Sequence, residues 1–303
     1  MALKQNKKGI FFTSLVLLIL TLFLISFTFY SDVKERKSTQ QRIETLNSFL
    51  FSIEEDIPRK LYISGFRAIL LLENKIIETG LFIPDIESSF SEIVINGTMD
   101  NLPMPLMLGA NFSDIQKNLK EKANEISANI NLYNAELSLT QEDPWNIKVT
   151  ITSDLFLEDI GGEASWNKTS VLSAYIPIEK FEDPLYIVNT NGALINNITK
   201  TPYPNFNNIQ DLNTHITNSY YNSSTDAPSF LNRMQGNTGS NINGIESFVN
   251  LQKLSQQGIT VQEKSVIDHI YFSSGNPSTC HPAETPSWFR IDDAHKTSYE
   301  VSC

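Results

Sequence analysis

The apolar positions divide the chain into a uniformly apolar beginning and a longer, periodically patterned remainder. From Ile10 to Tyr30 there is no charged residue, and Phe, Leu, Ile and Val dominate. About 20 such residues at a rise of ~1.5 Å make a helix of roughly 30 Å, the thickness of a bilayer's hydrocarbon core. A cleaved secretory signal has a shorter apolar region followed by a small-residue site, for which Ser26 and Thr28 are a poor substitute. We therefore expect one transmembrane helix over residues 10–30.

Basic residues before this segment predict its orientation. Lys4, Lys7 and Lys8 precede it, and the positive-inside rule places such a flank in the cytoplasm. Residues 1–9 are then a cytoplasmic basic leader, and the bulk of the chain is extracytoplasmic.

The next segment, residues 31–83, has the period of a helical spine. Pro58 interrupts the pattern, so we expect the helix to kink or restart there before it ends at Gly80. Packing on its own domain is favoured over an intermolecular seam. The apolar positions before the proline are spaced alternately by three and four residues: Ile43, Leu46, Leu50, Ile53 and Ile57.

Residues 84–303 are expected to form one α+β domain with antiparallel hairpins and short helices. Residues 86–110 look like a loop, and a helix follows with Ser113 and Gln116 as a capping box. Ile115, Leu119, Ile126 and Ile130 would line one face of that helix.

Later segments alternate with period two or carry helix-end signals. We expect a strand over 147–157 paired with one over 172–178, and a second hairpin, LYIV to ALINNIT, that turns at Asn191-Gly192. Further expectations are a helix capped by Asp226, a helix ending at Gly258, and short strands at ITVQ and DHIYF.

Charge and sequons fit an extracytoplasmic location. The net charge is −11, and because residues 1–9 carry three lysines and no acid, the remainder carries −14. Such an acidic domain excludes the basic patch that nucleic-acid binding needs. N-glycosylation is plausible at five sequons, which begin at Asn96, Asn111, Asn167, Asn197 and Asn222.

The two cysteines, Cys280 and Cys303, leave three possibilities open. Outside the cytosol a disulfide is favoured. Free thiols are the second possibility. A metal site with His281 and His295 is the third, although the spacing of structural zinc sites is missing.

No motif of a known enzyme class or cofactor site occurs, and the four histidines lack metal-ligand spacing. We expect no enzyme activity, no cofactor and no metal ion. The Asp292-Asp293-Ala294-His295 stretch could share a proton or a cation, but a solvated polar turn is the preferred interpretation. His269 is interpreted as a surface or hydrogen-bonded strand residue.

The stretch Lys8-Gly9-Ile10-Phe11 resembles the cleavage site of archaeal type IV pilin-like precursors. The resemblance covers residues 7–30 and implies that a prepilin peptidase cuts between Gly9 and Ile10. It also implies a filament built through the apolar helix, with a β-rich, often glycosylated head outside. Ser14 departs from the family, where many members carry glutamate. The rest of the chain is similar to single-pass archaeal surface proteins of unassigned role.

We therefore expect a membrane-anchored surface protein that acts as a pilin-like structural or adhesion subunit. The alternatives are a tethered ligand-binding module that does not polymerise and a tethered enzyme. Membrane lipid is the first expected partner, and self-association through the helix is the second. Ser14, Thr21 and Thr28 recur every seven residues and form a candidate packing stripe. Such hydroxyls can also simply bond to their own backbone.

Overall fold

The computed structural model describes residues 7–206 and 208–303, with the backbone alone for residues 7–10. Its first element, α1, is one helix over Lys7–Thr79. Gly80 follows with a φ of +64°, so the helix ends where the sequence predicted. The expected restart at Pro58 is wrong, because α1 continues through it. Buried side chains on both sides of the proline, Ile57 and Leu61, hold the helix together despite the missing hydrogen bond.

The second half of α1 packs on its own domain, as favoured. Ile43 remains exposed, but the residues after it along the same face lie in a core shared with the sheet. These buried residues are Leu46, Leu50, Ile53, Ile57, Leu61, Ala68, Ile69, Leu72 and Ile76.

Residues 86–110 are not a loop, because they begin with a helix. Helix α2 is Ile86–Asn96, and the Asp85 side chain caps it by accepting from the Ser88 N–H at 2.9 Å. A two-stranded ribbon follows, β1 (Thr98–Met99) paired with β2 (Leu102–Pro103).

Helix α3 is Phe112–Glu125, and its cap is Asn111 rather than Ser113. Asn111 Oδ1 accepts from the Asp114 N–H at 2.8 Å. The helix is shorter than expected, since Ile126 follows its last residue and Ile130 lies in the next strand.

An antiparallel meander forms the centre of the domain. Its strands are β3 (Ala128–Asp143), β4 (Asn146–Asp159) and β5 (Ser165–Pro177), in that spatial order. The predicted pairing of β4 with β5 is confirmed. Alternate β4 side chains from Ile147 to Leu157 are buried beneath α1.

The predicted second hairpin is wrong. Residues of the LYIV segment form helix α4 (Pro184–Asn189), which Asp183 caps by accepting from the Leu185 N–H at 2.9 Å. Pro184 lies at the first helical position, where its missing N–H costs nothing.

The remaining chain consists of short elements, most of which surround a second core of apolar and aromatic side chains, whereas Phe230, Met234 and Ile245 belong to the first core. The expected helix capped by Asp226 is capped by Ser229 instead, and the expected DHIYF strand is a helical turn. The ITVQ segment, 259–262, has no regular structure. The elements are α5 (Ile209–Asn218), β6 (Asn222–Ser223), α6 (Phe230–Met234), β7 (Ile245–Glu246), α7 (Leu251–Gln256), α8 (Asp268–Tyr271), β8 (Thr279–Cys280) and β9 (Ile291–Asp292). The second core includes Phe248, Val266, Ile267, Phe289, Ile291 and Tyr299.

Candidate functional site

The first half of α1 is an exposed apolar surface. In the described part of the chain, α1 is the one helix long and apolar enough to cross a membrane, and no part of its apolar segment is buried. Every side chain from residue 11 to residue 38 is exposed, including Phe11, Phe23 and Phe27. An apolar surface of this extent needs a cover of lipid or protein.

The candidate packing stripe lies on this exposed segment. The Thr21 hydroxyl donates to the Leu18 carbonyl and the Thr28 hydroxyl to the Ile25 carbonyl, both at 2.8 Å. Ser14 is exposed on the same side of the helix. These bonds satisfy the two threonine hydroxyls within the helix itself.

The candidate cleavage site, Gly9 and Ile10, lies in the first turn of α1. Lys4 and the rest of residues 1–6 lie outside the described residues. Processing at this bond stays a prediction.

The five sequon asparagines differ in accessibility. Asn96, Asn167 and Asn197 are exposed, whereas Asn111 and Asn222 are half-buried. Asn111 Nδ2, the atom to which a glycan is attached, donates to Asp114 Oδ2 at 2.8 Å within the cap of α3. Glycosylation stays a prediction, and the three exposed asparagines are the sites where a glycan fits.

The predicted disulfide is present. Cys280 and Cys303 are bonded, with their Cα atoms 6.1 Å apart. The bond ties the last residue of the sequence to β8, which pairs with β9. The disulfide removes both thiolates from the metal site considered with His281 and His295.

A buried arginine joins two aspartates by ion pairs. Arg233 and the side chains of Asp183 and Asp268 are completely buried. Arg233 Nη1 donates to Asp183 Oδ2 at 2.5 Å and to Asp268 Oδ2 at 3.0 Å, and Nη2 donates to the Ile245 carbonyl. Burial and the neighbouring Asp268 charge raise the pKa of Asp183, against the effect of Arg233. Ile245 precedes Glu246 and Asp268 precedes His269, so the Arg233 guanidinium fixes the backbone next to two residues of a further cluster.

That cluster consists of Glu246, His269 and His295, called here the Glu-His-His cluster. One ligand-capable atom from each residue lies within 4.8 Å of the other two. Their exposed fractions are only 1 %, 6 % and 4 %. Glu246 Oε2, His269 Nδ1 and His295 Nε2 are buried and have no hydrogen-bond partner by geometric criteria. His295 Nε2 and Glu246 Oε2 lie 3.3 Å apart.

Hydrogen bonds behind the cluster orient two of its members. His295 Nδ1 lies 2.7 Å from Asp292 Oδ1, and the Ser265 hydroxyl donates to Asp292 Oδ2 at 2.7 Å. The Tyr299 hydroxyl donates to Glu246 Oε1 at 2.9 Å. Burial alone lowers the pKa of His295, but the carboxylates of Asp292 and Glu246 outweigh it and raise the pKa to about 10.

The solvated polar turn expected at Asp292–His295 is wrong, because Asp292 and His295 are 2 % and 4 % exposed. The interpretation of His269 as a strand residue is also wrong, since it lies buried in α8. Glu246 was not singled out, and no local spacing reveals it. The single sequence signal for this cluster is the Asp292–His295 pair, three residues apart.

Comparisons with protein-family models, curated proteins and solved structures find no match to this chain.

Proposed function

We propose that this protein is a single-pass, membrane-anchored surface protein whose folded domain is extracytoplasmic, acting as a pilin-like structural or adhesion subunit. One observation carries the proposal: α1 is a single helix whose first half is apolar and exposed on every side, while its second half is part of a folded core. A long helix shared between an apolar assembly and a β-containing head is also what the resemblance of residues 7–30 implies.

Charges and the disulfide support the orientation. The lysines at positions 4, 7 and 8 precede the apolar segment, and the remainder of the chain is strongly acidic. The bond between Cys280 and Cys303 is of a kind that persists in oxidising surroundings and is rare in the cytosol.

A tethered binding module that does not polymerise is the second candidate. The observation that favours it is the bonding of Thr21 and Thr28 to their own helix, because these hydroxyls then need no neighbouring helix. The tethered module keeps the apolar segment in lipid, whereas the pilin-like subunit packs it against other copies, so the two differ in processing and self-association.

Two questions, the orientation of the chain and its N-terminal processing, are tested by adding protease to intact cells after removal of any covering layer. The membrane fragment that remains is then analysed by mass spectrometry. We expect the folded domain to be degraded and a membrane fragment to remain. A fragment beginning at Ile10 supports the pilin-like subunit, and one beginning at Met1 or Ala2 supports the tethered module. Lysed cells serve as the control for protease access. Full protection of the domain in intact cells, with digestion after lysis, would reverse the proposed orientation.

A further inference from the structure

The Glu-His-His cluster contains three buried polar atoms that make no hydrogen bond within the protein, although two of them, Glu246 Oε2 and His295 Nε2, lie 3.3 Å apart. A buried polar atom without a hydrogen bond destabilises the folded state, so such groups are rare in folded proteins. Three of them within one site, each on a side chain more than nine-tenths buried, call for a ligand that accepts lone pairs from all three.

We propose that Glu246, His269 and His295 bind one divalent transition-metal ion, of which Zn²⁺ is the best fit. Two imidazole nitrogens and one carboxylate oxygen are a ligand set that zinc uses widely, and imidazole favours zinc, copper, nickel and iron over magnesium or calcium. This site departs from the sequence expectation of no metal ion.

The spacing of the ligand atoms suits such an ion. Zinc–nitrogen and zinc–oxygen bonds of about 2.0–2.2 Å in a tetrahedron place neighbouring ligand atoms about 3.4 Å apart. His295 Nε2 and Glu246 Oε2 already lie at 3.3 Å. The third ligand atom lies within 4.8 Å of both, so a shift of up to about 1.4 Å by His269 completes three corners of the tetrahedron.

The groups behind the ligands have the arrangement that metal sites use. A histidine that binds a metal normally donates the N–H of its other ring nitrogen to a carboxylate or carbonyl, and this hydrogen bond fixes the tautomer. Asp292 accepts from the Nδ1 side of His295 at 2.7 Å, so Nε2 faces the other ligands and binds the metal by giving up its proton. The Tyr299 hydroxyl donates to Glu246 Oε1 at 2.9 Å, which leaves Glu246 Oε2 to bind the ion.

The location of the ligands indicates a structural ion. Glu246 lies in β7, His269 in α8 and His295 just after β9, so the ion would join three segments that are far apart in the sequence. These segments contain little regular structure and surround the second core. The low exposure of all three ligands keeps the ion out of solvent.

An ion pair is the competing explanation. A protonated His295 between Glu246 and Asp292 would account for two members of the cluster, Glu246 and His295, without a metal. It would leave His269 Nδ1 with only a long contact, 3.5 Å from Asp268 Oδ1, and no hydrogen bond. His269 therefore distinguishes the two explanations.

The test is zinc binding by the full-length protein in detergent, after removal of metal with a chelator and dialysis. We expect isothermal titration and metal analysis to give one Zn²⁺ per chain, and the ion to raise the unfolding temperature. H269Q should weaken binding at least tenfold while leaving the unfolding temperature of the metal-free protein close to that of wild type. H281Q, which removes an exposed imidazole elsewhere in the same region, is the matched control and should bind as wild type does.

Two results would overturn the site: no stoichiometric binding by wild type, or equal affinity in wild type and H269Q. If H269Q fails to fold, Co²⁺ in the wild-type protein replaces it as the probe. The visible spectrum should then be that of a four- or five-coordinate ion that Zn²⁺ displaces, and the spectrum of a six-coordinate hydrated ion would contradict the proposal.

Discussion

The two halves of α1 bury their apolar side chains in different ways. In the first half, apolar residues occupy every side of the helix and none is buried by the protein's own fold. In the second half, they occupy one face, and that face packs against β4 and β5. The same helix therefore depends on its own sheet in one half and on an outside environment in the other. A helix with apolar residues on one face can be buried by its own domain, whereas one that is apolar all round needs lipid or other protein around it. The angular distribution of apolar residues about the helix axis, rather than their number, makes this difference.

Truncating a core leucine should give the largest difference between the halves. Leu72 is fully buried on the face towards the sheet, and Leu24 is 59 % exposed on the apolar segment. L72A should lower the free energy of unfolding of the domain by about 2–5 kcal/mol, since it leaves a cavity. The matched control L24A should leave it unchanged. Tryptophan fluorescence during denaturant unfolding in detergent measures both, and equal losses would mean that the first half also packs on the domain.

A buried carboxyl on the second half should make stability depend on pH. Burial raises the pKa of Glu73 to about 7, and the nearby Glu182 charge adds to this, although the Glu182 backbone N–H donates to the carboxylate. The folded state therefore binds the Glu73 proton more tightly than the unfolded state does. This group's contribution to the free energy of unfolding is fully present below about pH 4.5 and is lost as the pH rises through about 7.

E73Q keeps an acceptor for the Glu182 N–H and removes the charge. It should therefore stabilise the domain by about 1–2 kcal/mol at pH 8 and change little at pH 4.5. Unfolding at the two pH values measures the difference. E78Q, which removes an exposed carboxylate from the same helix, is the control. A stabilisation by E73Q that is the same at both pH values would show that the carboxyl is not buried in charged form at pH 8.

The last prediction concerns association rather than folding. Replacing Ser14, Thr21 and Thr28 together by leucine should weaken self-association of the apolar segment by about 1–2 kcal/mol, because small hydroxyl residues allow helices to approach closely in lipid. Crosslinking in membranes measures this association. The control V16L/F23L changes the opposite side of the helix. If the triple variant associates as wild type does, the tethered module becomes the better description.

The parts of the fold that repeat a regular period were the ones that the sequence predicted. Burial alternates along β4 from Ile147 to Leu157, with Ser153 as the one polar residue on the buried face, and the predicted pairing with β5 is correct. β3 was missed because its pairing register shifts between Tyr133 and Glu136, with Asn134 at a φ of +52°, which breaks the alternation.

Short apolar runs and distant contacts account for the remaining errors. The four residues after Pro184 fit a strand or a helix equally well, and the Asp183 cap with the proline decides for the helix. The Glu-His-His cluster could not be predicted, since its members are 23 and 26 positions apart and meet only through folding. Arg233, which holds the chain beside Glu246 and His269, gave no signal in the sequence either.

The continuity of α1 through Pro58 also has a mechanical consequence. About 49 residues of helix extend from Tyr30 to Thr79, a rod of roughly 75 Å at ~1.5 Å per residue. Membrane helices tilt by about 20° on average, and a rod of that length converts such a tilt into a sideways displacement of about 25 Å at its far end. Under the proposed membrane location, lipid packing around residues 10–30 would therefore also set the position of the folded domain, because one continuous helix joins the two.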